Sequence, residues 1–134
     1  MIRWAPFFPQ DNALGFTGIA YGKGVFIVVG PKVKIGISPK DETREIVKDW
    51  DQVPLVNYKG TFDFTGITFG GNNTFTAVGT YGKILTSPNG KDWTFRNSGT
   101  TLDLYGMIYG ASSSGNTYVG VGKNGTILQS GVIP

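Results

Sequence analysis

The stretch Phe64-Thr65-Gly66-Ile67-Thr68-Phe69-Gly70, followed by Phe75-Thr76-Ala77-Val78-Gly79 and by Ile84-Leu85-Thr86-Ser87, is one copy of a unit that occurs three times. The earlier copy reads Phe16-Thr17-Gly18-Ile19-Ala20-Tyr21-Gly22, then Phe26-Ile27-Val28-Val29-Gly30, then Ile35-Gly36-Ile37-Ser38. The later copy reads Leu104-Tyr105-Gly106-Met107-Ile108-Tyr109-Gly110, then Tyr118-Val119-Gly120-Val121-Gly122, then Ile127-Leu128-Gln129-Ser130. The closing serines give a period of roughly 40–50 residues.

Each copy contains three short apolar segments separated by turns rich in Gly, Asn and Ser, which indicates three β-strands. A tryptophan marks a fourth strand, after Lys48-Asp49-Trp50 in the first copy and after Lys91-Asp92-Trp93 in the second. Units of this period with four strands each are typical of β-propeller blades. The sequence therefore predicts an all-β propeller chain with three four-stranded blades.

The third copy is followed only by residues 131–134 and has no tryptophan segment after it. Ile2-Arg3-Trp4 has the missing pattern, so the N-terminal strand is predicted to complete the third blade. Propellers have about four to eight blades, and three blades alone would leave two apolar faces open to water. The sequence therefore predicts a homodimer closed as a six-bladed ring, with each N-terminal strand completing the last blade of the partner. Completion within one chain is the alternative.

The length of 134 residues is ordinary for one domain, and residues 1–134 are predicted to form one half of a propeller. Blade one is predicted at 14–57, blade two at 62–98 and blade three at 102–134, with the blade-completing strand at 1–10.

The segment Ser87-Pro88-Asn89-Gly90-Lys91-Asp92-Trp93 resembles the Asp-box of sialidase-type repeats, Ser-x-Asp-x-Gly-x-x-Trp. It is closer to the shortened form Ser-x-Asp-Gly-x-x-Trp, with Asn89 in the Asp position. The repeat around it looks like the propeller repeats of the photosystem II assembly factor family, over nearly the whole chain. In that family the box is structural. Structural, blade-closing roles are therefore expected for Ser87, Asn89, Gly90, Trp93, Trp50 and Trp4.

The composition excludes several kinds of chemistry. The chain has no cysteine and no histidine, which removes thiol nucleophiles, disulfides, Ser-His triads and the usual zinc sites. The net charge of +3 is spread along the chain without a basic cluster, so no nucleic-acid partner is expected. No apolar run approaches the roughly 20 residues of a membrane span, and no signal peptide is seen. We expect a soluble protein of unknown compartment, with no metal, no cofactor and no membrane partner.

The first functional hypothesis is a non-enzymatic module that binds a carbohydrate or a protein. Tyrosine rings stack on sugars, and asparagine amides share hydrogen bonds with hydroxyl groups. Asp63 and Asp103 hold matching places, at the start of the first strand in the second and third copies. There they could hold a cation or a sugar hydroxyl, cap a turn, or pair with a lysine. The candidate binding residues are Asp63, Asp103, Tyr58, Tyr81, Asn124 and Arg96.

Two other hypotheses remain open. One is a structural or assembly protein, of phage or metagenomic origin or a reduced propeller, whose role is the ring itself. The other is a sialidase-like glycoside hydrolase, which needs an arginine cluster and acidic groups at the channel. Arg3 and Arg96 flank outer-strand tryptophans and Arg44 lies in a charged insert, so no catalytic residues are predicted.

Overall fold

The computed structural model describes residues 15–39, 50–55 and 58–131, together with Trp4. Within these ranges the chain is all-β, and two short 3₁₀ turns occur at Thr80–Gly82 and Lys123–Gly125. The strands are β1 (Gly18–Gly22), β2 (Val25–Gly30), β3 (Lys34–Ile37), β4 (Asp51–Gln52), β5 (Phe64–Gly70), β6 (Thr74–Gly79), β7 (Ile84–Ser87), β8 (Thr94–Arg96), β9 (Leu104–Ser112), β10 (Gly115–Gly122) and β11 (Ile127–Gln129).

The strands form three antiparallel sheets in chain order. The first sheet is β1-β2-β3-β4 and the second is β5-β6-β7-β8. The third contains β9, β10 and β11, with β10 in the middle. The all-β prediction is confirmed. In the first and second sheets, the fourth strand starts directly after Trp50 and Trp93, as the pattern predicted.

The third sheet has three strands in the part of the chain that the structure describes. The segment 1–10, predicted to supply a fourth strand, lies outside the described residues except for Trp4. The Trp4 side chain is 91% exposed and belongs to no strand. Completion of the third sheet by the N-terminus, ring closure and the homodimer therefore stay predictions.

An aromatic pair packs across the first hairpin of every sheet. Side chains opposite each other on neighbouring antiparallel strands are close enough to interact, so each pair helps to fix the strand register. The pairs are Tyr21–Phe26, Phe69–Phe75 and Tyr109–Tyr118, with ring centroids 4.7, 4.7 and 5.4 Å apart. The three sheets thus repeat one local structure, as the repeated sequence requires.

The core of the described residues lies mainly between the first and second sheets. The alternating apolar residues of β2 and β3 face those of β5, β6 and β7 there, and burying this surface is the main driving force for packing the sheets together. Ile27, Val29, Phe64, Phe75 and Leu85 are fully buried.

Glycines allow the first strands of the three sheets to lie side by side. A Cβ on Gly18 would be 3.2 Å from the Cα of Gly66, and a Cβ on Gly66 would be 3.5 Å from the Cα of Gly106. β5 accordingly contacts both β1 and β9. Any larger residue at Gly18 would push the strands apart.

Leu85→Ala should lower the free energy of unfolding by about 2–5 kcal/mol, because the Leu85 side chain is fully buried and its removal leaves a cavity. Chemical denaturation followed by tryptophan fluorescence measures this change. Ser113→Ala, in the exposed hairpin of the third sheet, is the matched control and should change stability by less than about 0.5 kcal/mol. Equal effects of the two substitutions would contradict the described core.

Candidate functional site

The turn from Ser87 to Trp93 is closed by side-chain hydrogen bonds. The Ser87 hydroxyl oxygen accepts the backbone N–H of Gly90 at 2.7 Å. The Asn89 side-chain oxygen accepts the N–H groups of Lys91 and Asp92 at 2.8 and 2.9 Å. The Trp93 indole N–H donates to the Gly90 carbonyl at 2.9 Å. All four residues predicted to be structural here have their polar groups engaged inside the turn.

This turn also packs against the neighbouring sheet. A Cβ on Gly90, whose φ is +82°, would lie 2.4 Å from the end of the Ile27 side chain. Trp93 packs against the same core, and the Lys23 ammonium donates to the Pro88 carbonyl at 2.6 Å. The turn therefore joins the second sheet to the first, and we assign it to structure.

The matching serines of the other two copies are used differently. The Ser38 hydroxyl accepts the N–H of Phe26 at 2.8 Å, and the Ser130 hydroxyl accepts the N–H of Tyr118 at 2.9 Å. Each serine thus extends the ladder to its own middle strand. Trp50, which marks the first sheet's fourth strand, is half-buried.

Asp63 and Asp103 each link two sheets. The Asp63 Oδ1 accepts the backbone N–H of Lys32 in the first sheet at 2.9 Å, and the Asp103 Oδ1 accepts that of Tyr81 in the second at 2.9 Å. Lys32 and Tyr81 have φ values of 56° and 58°, in the left-handed region. Both carboxylates therefore hold turns of the preceding sheet, which is the turn-capping alternative. Their role in binding a ligand stays a prediction.

A second set of links was missed by the sequence reasoning. The Thr17 hydroxyl donates to the Phe64 carbonyl at 2.7 Å, and the Thr65 hydroxyl donates to the Leu104 carbonyl. Each threonine reaches from one sheet to the start of the next sheet's first strand. The signal was present, since threonine holds the same place in the first two copies and Tyr105 replaces it in the third.

Three of the predicted binding residues line one open cleft of about 380 Å³ beside the second sheet. Tyr58, Tyr81 and Arg96 are its predicted members, joined by Phe95 and Lys83. Asp63 and Asp103 line a neighbouring cleft of about 270 Å³, which Tyr81 also borders. Asn124 lines neither cleft; it lies exposed in the Lys123–Gly125 turn.

The larger cleft combines aromatic rings with cations. The rings of Tyr58 and Phe95 have centroids 5.0 Å apart with planes 37° apart. The Lys83 ammonium lies 5.8 Å from the Phe95 centroid, and the Arg96 Nε donates to the Thr86 hydroxyl oxygen at 2.9 Å. Such a surface can stack an apolar ring face and donate hydrogen bonds to hydroxyl or carboxylate oxygens.

Two further features of the described residues bear on chemistry. Within residues 15–39, 50–55 and 58–131 and Trp4, no group of three or more acidic, histidine or cysteine side chains is placed to hold a metal ion. The described part also contains no helix with the length and apolar character needed to cross a membrane.

Comparison with known proteins yields no match among family models, curated proteins or solved structures. The functional argument therefore rests on the geometry of this chain.

Asp103→Ala should lower the free energy of unfolding by about 1–2 kcal/mol, because the N–H of Tyr81 loses its acceptor at the junction of the second and third sheets. Asp103→Asn keeps an oxygen at the same place and should restore most of that loss. Thermal or denaturant unfolding of both variants measures the difference. If Asn and Ala are equally destabilising, charge rather than hydrogen bonding explains the role of Asp103.

Proposed function

We propose that the protein is a non-enzymatic β-propeller, assembled as a six-bladed ring from two copies of the chain, that recognises a carbohydrate or a protein. One observation supports the assembly. Val29, Val78 and Val121 hold the same place in the three sheets, each paired with the first glycine of the inner strand. Val29 and Val78 are fully buried between sheets, whereas Val121 is 51% exposed on the outer face of the third sheet.

The opposite end of the chain has a matching open face. Ile67 packs against the core between the first and second sheets, but Ile19, its equivalent in the first sheet, is 60% exposed. A single chain therefore presents two open apolar faces, one on the third sheet and one on the first. Faces of this kind are buried where neighbouring sheets of the chain meet. In the proposed assembly, the first sheet of a second copy covers the open face of the third sheet, as the next sheet along the chain covers the first and second sheets.

A two-fold arrangement satisfies both faces at once. The third sheet of each copy then covers the first sheet of the other, which closes a ring without free faces. In the proposed ring, the N-terminal strand of one copy pairs with β11 of the other and completes a four-stranded blade. Pairing would also protect the β11 edge, because exposed strand edges promote aggregation.

Recognition is assigned to the cleft that contains Tyr58, Tyr81, Phe95 and Arg96. Aromatic rings beside hydrogen-bond donors suit a sugar, since a pyranose has an apolar ring face and polar edges. We assign no catalytic role to the chain. It has neither cysteine nor histidine, and Arg96, the arginine within the described residues, lies on the outer strand β8.

The second candidate function is the ring itself, as a structural or assembly protein without a small ligand. The open apolar faces of the first and third sheets support this candidate too, because they favour assembly whether or not a ligand binds. Binding measurements separate the two candidates.

Val121→Glu should convert the dimer into a folded monomer, because the substitution places a charge at a position whose equivalents in the other two sheets, Val29 and Val78, are fully buried. Sedimentation velocity should show the dissociation constant rise by about a hundredfold or more. The exposed Thr94 of β8 provides the control, since Thr94→Glu adds the same charge away from the proposed joint and should leave the dimer intact. A Val121→Glu variant that stays dimeric argues against closure through this face.

Tyr58→Ala should weaken binding to a carbohydrate by about tenfold or more, because it removes one of the two neighbouring aromatic rings of the cleft, Tyr58 beside Phe95. A glycan array probed with the labelled protein identifies the sugar, and titration of that sugar measures the loss. Ser113→Ala, far from the cleft in sequence and exposed, should bind as the unmodified protein does. A flat response across glycans and peptides would leave the structural ring as the better account.

A further inference from the structure

An aromatic ring lies on a glycine at both inner joints, which are the contacts of the first sheet with the second and of the second sheet with the third. A Cβ on Gly22 of the first sheet would be 2.5 Å from ring atoms of Phe69 in the second. A Cβ on Gly70 of the second sheet would likewise be 2.5 Å from ring atoms of Tyr109 in the third. Phe69 and Tyr109 hold the same place in their strands, so the same packing contact occurs at both joints and fixes the position of each sheet relative to the one before it.

The third member of this series is divided between the two ends of the chain. Among the described residues, only the Thr117 carbonyl oxygen, at 3.9 Å, lies near the position that a Cβ on Gly110 of the third sheet would take. Tyr21 of the first sheet, the equivalent of Phe69 and Tyr109, is 48% exposed. One end therefore has an uncovered glycine and the other has an aromatic ring without a glycine beneath it.

We infer that Tyr21 of one copy packs on Gly110 of the other. The seam is the contact between the third sheet of one copy and the first sheet of the other, and this ring-on-glycine contact fixes how the two sheets align there. The inference rests on the proposed two-copy ring and adds the residue pair that builds its seam. In the described part of the chain, no atom lies within 4 Å of a Cβ on Gly106. Gly106 then receives β1 of the partner, as Gly18 and Gly66 approach the first strand of the next sheet within the chain.

The seam lacks both polar links of the inner joints. Gly15 holds the place of Asp63 and Asp103, because a Cβ on Gly30, Gly79 or Gly122 would meet the carbonyl oxygen of Gly15, Asp63 or Asp103 respectively. Position 15 therefore offers no carboxylate to accept the N–H of Asn124, the residue with φ 60° that corresponds to Lys32 and Tyr81.

The hydroxyl link is also missing, because Tyr105 stands where Thr17 and Thr65 donate to the next sheet. The seam consequently relies on apolar and ring-on-glycine contacts, whereas the inner joints also have hydrogen bonds. It follows that the ring opens at the seam between copies before the sheets of one chain separate.

A cysteine pair tests the contact directly, in a chain that has no cysteine of its own. At the second joint a Cβ on Gly70 would be 2.8 Å from the Cβ of Tyr109, so a disulfide, which needs a Cβ separation of about 3.5–4.5 Å, requires only a small opening. Tyr21→Cys with Gly110→Cys should form an intermolecular disulfide under mild oxidation, identified by peptide mass spectrometry. Tyr21→Cys with Thr94→Cys is the control pair and should not cross-link.

A second variant tests the missing links. Gly15→Asp with Tyr105→Thr restores the carboxylate acceptor and the hydroxyl donor of the inner joints, and no atom of the described residues lies within 4 Å of a Cβ on Gly15. The dissociation constant of the dimer should fall by about tenfold or more.

The outcomes distinguish this inference from the assembly proposal. A dimer of the unmodified chain, with the specific cross-link and tighter association of the double variant, supports the inference. If the unmodified chain is a dimer but the cross-link is absent and the double variant gains nothing, the seam inference is wrong while the two-copy assembly stands. An unmodified chain that stays monomeric overturns both.

Discussion

The packing of the three sheets follows from the close approach of their first strands, β1, β5 and β9. Gly18, Gly66 and Gly106 hold one place in β1, β5 and β9, and a Cβ on Gly18 or Gly66 would lie 3.2 or 3.5 Å from the Cα of the next glycine. Because the strands are close, the aromatic ring of one sheet reaches the glycine of the sheet before it. The same spacing brings the apolar faces of the first and second sheets into one core.

The polar links between sheets also position the candidate binding surface. Asp103, at the start of the third sheet, holds the backbone N–H of Tyr81 in the second sheet. Tyr81 borders both the larger cleft and the acidic one beside it. The shape of the proposed recognition site therefore depends on the joint between the second and third sheets.

Much of the fold could be predicted from the sequence, because short strands and tight turns repeat with the same residues. The strands of the three sheets and the starts of β4 and β8 after Trp50 and Trp93 follow from that pattern. Contacts between sheets were harder to foresee. The turn-holding role of Asp63 was one of several open alternatives, and the hydroxyl link from Thr17 was missed, since its acceptor lies 47 residues away.

The candidate cleft was only partly predictable for the same reason. Tyr58, Tyr81 and Arg96 were among the predicted binding residues, and only the fold brings them to one surface with Phe95. Asn124, proposed with them, belongs to the third sheet's turn and lines neither described cleft. Repetition of sequence identifies equivalent positions well, but it carries little information on which of the loops between repeats meet.

Light scattering of the unmodified chain on a sizing column tests whether two copies close one ring. Two copies in one ring should give a single species of twice the 14.4 kDa chain mass that persists on dilution through the micromolar range. A compact species of 14.4 kDa at every concentration would contradict it, because the open faces at Val121 and Ile19 would then be stable in water without a partner.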